Sequence, residues 1–165
     1  MIRLKKVMAI VALAIFLGAV MVASAQTGQM QKNLYQAASD AGSFGMFTKI
    51  VQEAGLKDTL STGGPYTVLA PTDTEISKIP KGVIDALTKD KSLLTKHVKS
   101  HIIQGKYTTK DLESMSSVTT LSGDKLPVRS IDGTIHVGSF KLVGPDIQSS
   151  NGIIHGVTIS GFGGS

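Results

Sequence analysis

Residues 66–80 read YTVLAPTDTEISKIP. Tyr66 to Ala70 is a run of strand formers. Pro71 has no N–H to give to a ladder, so the strand is expected to end there. Thr72 and Glu75 follow at capping-box spacing: the Thr72 hydroxyl accepts an amide of the first helical turn, and the Glu75 carboxylate accepts the Thr72 amide. Ile76 and Ile79 then face the interior before Pro80. A strand hands over to a capped helix within two residues.

On the N-terminal side, Leu34, Ala37, Ala38 and Ala41 recur at helical spacing up to Gly42. Ser43 is the expected cap of a second helix whose apolar stripe is Phe44, Phe47, Ile50, Val51 and Ala54. Leu56 and Leu60 continue that face, and residues 61–65 read as a loop. On the C-terminal side, Val83, Ile84 and Leu87 mark a short helix. Leu93, Leu94, His97, Val98 and His101 mark another. From Ile102 the period changes to two. Thr108 and Asp111 can cap one helical turn carrying Leu112 and Met115, and strands are expected at 118–121, 126–131, 134–137, 141–143, 146–149 and 152–159. Asp132-Gly133 and Asn151-Gly152 read as hairpin turns that require positive φ, with Gly152 inside its turn. Helices followed by mostly antiparallel strands make an α+β domain.

The chain begins with Arg3, Lys5 and Lys6, an apolar run from Val7 to Val22, and the small residues Ala23-Ser24-Ala25. That layout is a secretory signal peptide, residues 1–25, cut after Ala25. The apolar run is shorter than the roughly 20 residues of a spanning helix. No stable membrane insertion is expected after cleavage, and the expected location is secreted or periplasmic. Residues 26–32 read as a flexible lead, 33–162 as a single domain and 163–165 as a loose tail. The precursor is +5, with 17 Lys/Arg and 12 Asp/Glu; losing the three basic residues of the signal leaves 14 against 12, or +2. Such a balance gives no dense basic face for nucleic acid. Asp85, Asp90 and Asp111 interrupt the lysines between Lys78 and Lys110, which reads as a solvated mixed-charge surface. Cysteine is absent, so disulfides and thiolate chemistry are excluded.

No catalytic constellation stands out. There is no nucleophile elbow, phosphate-binding loop or dinucleotide pattern. His97 and His101 share a helix face, but two nitrogens without a further ligand do not close a metal site. His101 is expected in the core, bonded to backbone near the 66–80 segment, and His97 at the surface. His136 and His155 fall on strands, and His155 is expected to hydrogen-bond structurally. No enzyme activity, metal or cofactor is expected.

Thr67-Val68-Leu69-Ala70-Pro71-Thr72-Asp73 resembles the first signature of the fasciclin (FAS1) domain family. LLTKHVKSHIIQG, residues 93–105, resembles its middle segment, and Asn151-Gly152-Ile153-Ile154-His155 its closing signature. The resemblance covers roughly Asn33 to Phe162. It implies a wedge-shaped β-sandwich with several packed helices, in which Pro71, Glu75, Gly105, Asn151, Gly152 and His155 are structural signature positions. It also implies a secreted module for cell adhesion or surface association, whose partner is an extracellular or cell-surface protein, a matrix component or a polysaccharide. Thr72, Asp73, Thr74, Ser100 and His101 are the candidate partner-binding residues. Animal members carry a Tyr-His pair tied to receptor adhesion where this chain has Ser100-His101, and Arg-Gly-Asp is absent, so integrin recognition is not carried over. The alternative implied by the resemblance is an exported carrier of an apolar ligand such as a carotenoid.

Overall fold

A computed structural model describes residues 31–160. The expected signal peptide, most of the flexible lead and the tail beyond residue 160 lie outside the described residues. The helices are α1 (Leu34–Asp40), α2 (Gly45–Glu53), α3 (Lys57–Thr62), α4 (Asp73–Ser77), α5 (Lys81–Lys89), α6 (Lys91–Ser100) and α7 (Thr109–Glu113). The strands are β1 (Tyr66–Pro71), β2 (Ile102–Gln104), β3 (Ser117–Thr119), β4 (Lys125–Ile131), β5 (Thr134–Val137), β6 (Phe140–Leu142), β7 (Ile147–Ser149) and β8 (Gly152–Ile159).

The strands form one mixed sheet in the order β2-β1-β8-β6-β5-β4-β3, with β7 also on β8. A bridge between Ile103 and Thr120 joins the two ends, so the sheet curls almost closed. Most neighbours are antiparallel, as the alternating late strands imply. β1 and β8 are parallel, in register from Tyr66↔Gly152 to Pro71↔Val157. These two strands are buried along nearly their whole length, which fits their continuous apolar sequence. Alternate side chains enter two cores. Val68, Ala70 and Ile154 pack under the helices with Leu34, Phe47, Val51 and Val98. Leu69 and Val157 pack with Ile103, Leu112, Val118, Val137 and Leu142 inside the curl.

The strand-to-helix handover occurs as expected, but its details differ. Pro71 is the last residue of β1 and not the first beyond it, because a terminal position needs no further donation. The Thr72 side chain accepts the Glu75 amide at 3.4 Å, while the Glu75 carboxylate turns to Lys78 Nζ at 2.5 Å. Only half of the expected capping box forms. Full boxes form at Asn33/Gln36 and at Thr108/Asp111.

Ser43 does not cap α2. Phe44 holds the cap position without a side-chain bond. The service comes from across the chain: Asp73 Oδ1 accepts the Met46 amide at 2.8 Å, and the Asp73 amide donates to Ser43 O at 2.9 Å. The loop expected at 61–65 starts later, because α3 runs through Thr62.

Asp132 and Gly133 take φ of 51° and 75° and join β4 to β5 as the hairpin rule requires. The second hairpin is shifted by one residue. Ser149 pairs with Gly152, so Ser150 and Asn151 form the turn and Gly152 opens β8. Gly152 is needed for space, not for positive φ. A Cβ there would lie 2.0 Å from Tyr66 O and 2.9 Å from Leu34 Cδ1.

Gly152→Ala should therefore cost about 3–5 kcal/mol, as a backbone-level clash in the core does. Gly82→Ala, on α5 where an added Cβ meets nothing within 4 Å, should instead stabilise by up to about 1 kcal/mol. Urea unfolding of the two variants checks both signs.

Candidate functional site

The end of β1 leads to an apolar cleft. Phe47 and Ile50 from α2, Ile76 beside Pro71, Ile84 and Leu87 from α5, and Leu94 and Val98 from α6 make most of its wall. The i, i+3/i+4 spacing of Leu94, His97, Val98 and His101 brings all four to it. Side chains fill most of this space, and the free cavity is about 50 Å³.

His101 closes the inner end and is 4% exposed. Its Nδ1 lies 2.9 Å from Leu69 O, and because a carbonyl only accepts, Nδ1 carries the proton. Its ring lies 4.7 Å from that of Phe140 and meets His97 edge-on at 5.1 Å. Burial, then repulsion from His97, lower its pKa from 6.5 to about 4, against the opposing effect of the Leu69 bond. The ring is neutral at ordinary pH. His97, at the outer end, is also lowered by desolvation. Both positions match the expectation of a core histidine at 101 and a surface one at 97. Among the described residues no group of three or more His, Cys, Asp or Glu is placed to hold a metal.

The other candidate residues are not part of the cleft's lining and differ in exposure. Thr72 and Asp73 are half-buried and occupied by the helix ends of α4 and α2. Thr74 is exposed. The Ser100 hydroxyl donates to His97 O at 2.6 Å.

The signature positions hold one another. The buried Thr67 hydroxyl donates to Gly105 O at 2.7 Å and accepts the Tyr107 amide at 2.8 Å. His155 Nε2 lies 2.7 Å from Tyr107 O, and its Nδ1 lies 3.0 Å from Asp146 Oδ1. Asp146 also takes the Thr109 hydroxyl at 2.5 Å and the Thr109 amide at 3.0 Å. Burial raises the Asp146 pKa, but the Thr109 bonds and the His155 charge outweigh it and hold the carboxyl below its usual range. Asn151 Oδ1 accepts the Leu34 amide at 2.8 Å, and its Nδ2 donates to Leu60 O at 2.9 Å and Gly63 O at 2.6 Å. Sequence reasoning missed Thr67, Asp146 and the threefold role of Asn151. Their partners are 37 to 117 residues away, and no local spacing signals such a bond.

A family model described as the fasciclin domain matches residues 42–158. The chain is 34% identical over 123 residues to the Synechocystis protein sll1735, across 74% of this chain and 92% of that one. It is 30% identical over 112 residues to the transforming growth factor-beta-induced protein ig-h3 of Sus scrofa, across 68% of this chain but 16% of that larger protein. In fold it resembles the FAS1 domain pair of the insect cell adhesion molecule fasciclin I, with TM-score 0.61 and 16% identity, over 78% of this chain and 50% of that one.

The buried histidine makes stability depend on pH. Unfolded His101 binds a proton near pH 6.5 and folded His101 only near 4. The unfolded state therefore takes up more protons between these values. The contribution of the neutral ring is complete above pH 6.5 and is lost as pH falls toward 4, by roughly 3 kcal/mol. The lowered Asp146 carboxyl acts in the same direction at lower pH, because its contribution is lost as pH falls through its folded pKa. Urea unfolding across this range should show the loss, and His101→Phe should flatten the slope above pH 4 whatever its effect on stability at neutral pH.

Proposed function

Because the chain belongs to the fasciclin domain family, we propose that it is an exported surface-association module that binds a protein or polymer outside the cytoplasm. The adhesion role of insect fasciclin I supports this reading. So does the N-terminal pattern of basic residues, apolar run and small residues. Among the described residues no helix is long and apolar enough to cross a membrane. The module is residues 33–162, and its work is binding, not turnover.

One observation carries the choice between adhesion and carriage. The cleft offers about 50 Å³, whereas pockets for small molecules run to roughly 300–1,000 Å³. Its side chains are engaged with each other, so recognition falls to the outer rim. Of the candidate residues Thr74 is exposed, Thr72, Asp73 and Ser100 are half-buried, and His101 is buried. Val83 on α5 and Leu93 on α6 add apolar side chains 40% and 49% exposed.

Protein secreted from the full-length chain should be retained on its host's cell surface and be colourless. Thr74→Arg combined with Leu93→Asp should reduce retention by about tenfold, the scale of losing an interface anchor, without moving the unfolding midpoint. A visible chromophore in natively purified protein, or no retention of the unaltered protein, would overturn the proposal.

A further inference from the structure

Helix α6 has a second working side. Away from the cleft, Lys91, Lys96 and Lys99 line an open groove of about 630 Å³ with Ser92, Thr95 and Ser122. No carboxylate lines it. Among the described residues, none of the three ammonium groups lies within ion-pair distance of an acid. The acids nearest in sequence are engaged at the groove's edge and not by the lysines: Asp90 Oδ1 caps the Ser92 and Leu93 amides at 3.0 and 3.1 Å, and Asp124 Oδ2 accepts the Ser122 hydroxyl at 2.6 Å. On this face the lysines are therefore left unpaired by the acids of the 78–110 segment.

Lys91 sits in the first turn of α6, where a positive charge opposes the helix dipole. Lys96 and Lys99 are three apart, so their like charges repel. Only Lys99, in the last turn, complements the helix dipole. At about 1.5 Å per residue, Lys91 to Lys99 spans about 12 Å, a row of cations and not a point site.

We propose that this groove binds a linear acidic polysaccharide, the lysines meeting its carboxylate or sulfate groups and the Ser92 hydroxyl its sugar oxygens. This inference rests on the surface-association reading and names its partner class. Charge complementarity selects a polyanion. The lining has no aromatic side chain on which bases would stack, and its one apolar member is Leu121, which gives a lipid surface little to hold.

The test uses protein secreted from the full-length chain, with dextran sulfate and polygalacturonate as probes. Both should bind at low salt and weaken as salt rises, and neutral dextran should not bind. Lys91→Gln, Lys96→Gln and Lys99→Gln together should weaken binding by at least about tenfold. Lys49→Gln, Lys125→Gln and Lys141→Gln remove the same charge from exposed positions elsewhere and should leave binding within about twofold. Equal losses in the two triple variants would overturn the groove. Equally tight binding of duplex DNA or anionic phospholipid vesicles would overturn the polysaccharide assignment. Retention on cells is read separately: its absence in the unaltered protein refutes surface association, while unchanged polymer binding in the α6 variant refutes the groove alone.

Discussion

Six residues of β1 lie in parallel register against β8, and the rest of the domain is arranged around that contact. The two strands are far apart in sequence, and each divides its side chains between the two cores. Their approach is close enough that position 152 has no room for a Cβ. Asn151, one residue earlier, ties the same corner to α1 and to the end of α3. Helices and curled sheet are therefore locked at a single point, where the closing segment reaches the start of β1.

The polar residues extend this lock. Thr67 joins β1 to the Gly105–Tyr107 segment, Tyr107 joins that segment to His155 on β8, and Asp146 carries the connection to α7. Their pairing keeps buried donors and acceptors satisfied, which is the condition for placing them inside at all. Two histidines in this one fold have different surroundings. His101 is held neutral against a carbonyl and apolar rings, whereas His155 faces a carboxylate.

The elements were largely legible in the sequence because they obey local rules. Helical stripes, the Thr108/Asp111 box and the Asp132-Gly133 turn depend on residues a few positions apart, and they appear where expected. Misreadings arose where a distant residue took over a local task. Asp73 serves the α2 terminus that Ser43 was expected to serve, and Lys78 draws Glu75 away from its box. Gly152 was read as a turn residue because Asn-Gly is a turn signal, yet the crowding by Tyr66 that requires glycine there is tertiary. The candidate site was legible only in outline. The histidine spacing on α6 gave the cleft its two ends, but how far side chains fill the cleft, and which lysines gather without acids, depend on packing between elements.

The bridge between first and last strands also governs timing. Contacts so far apart along the chain form late, because loop-closure entropy must be overcome before they contribute. While the polypeptide is still being made, β1 lacks the neighbour that covers one whole edge, and neither core can be sealed. A growing chain of this kind stays open until residues 152–159 arrive, so this domain closes as a whole once β8 has been made.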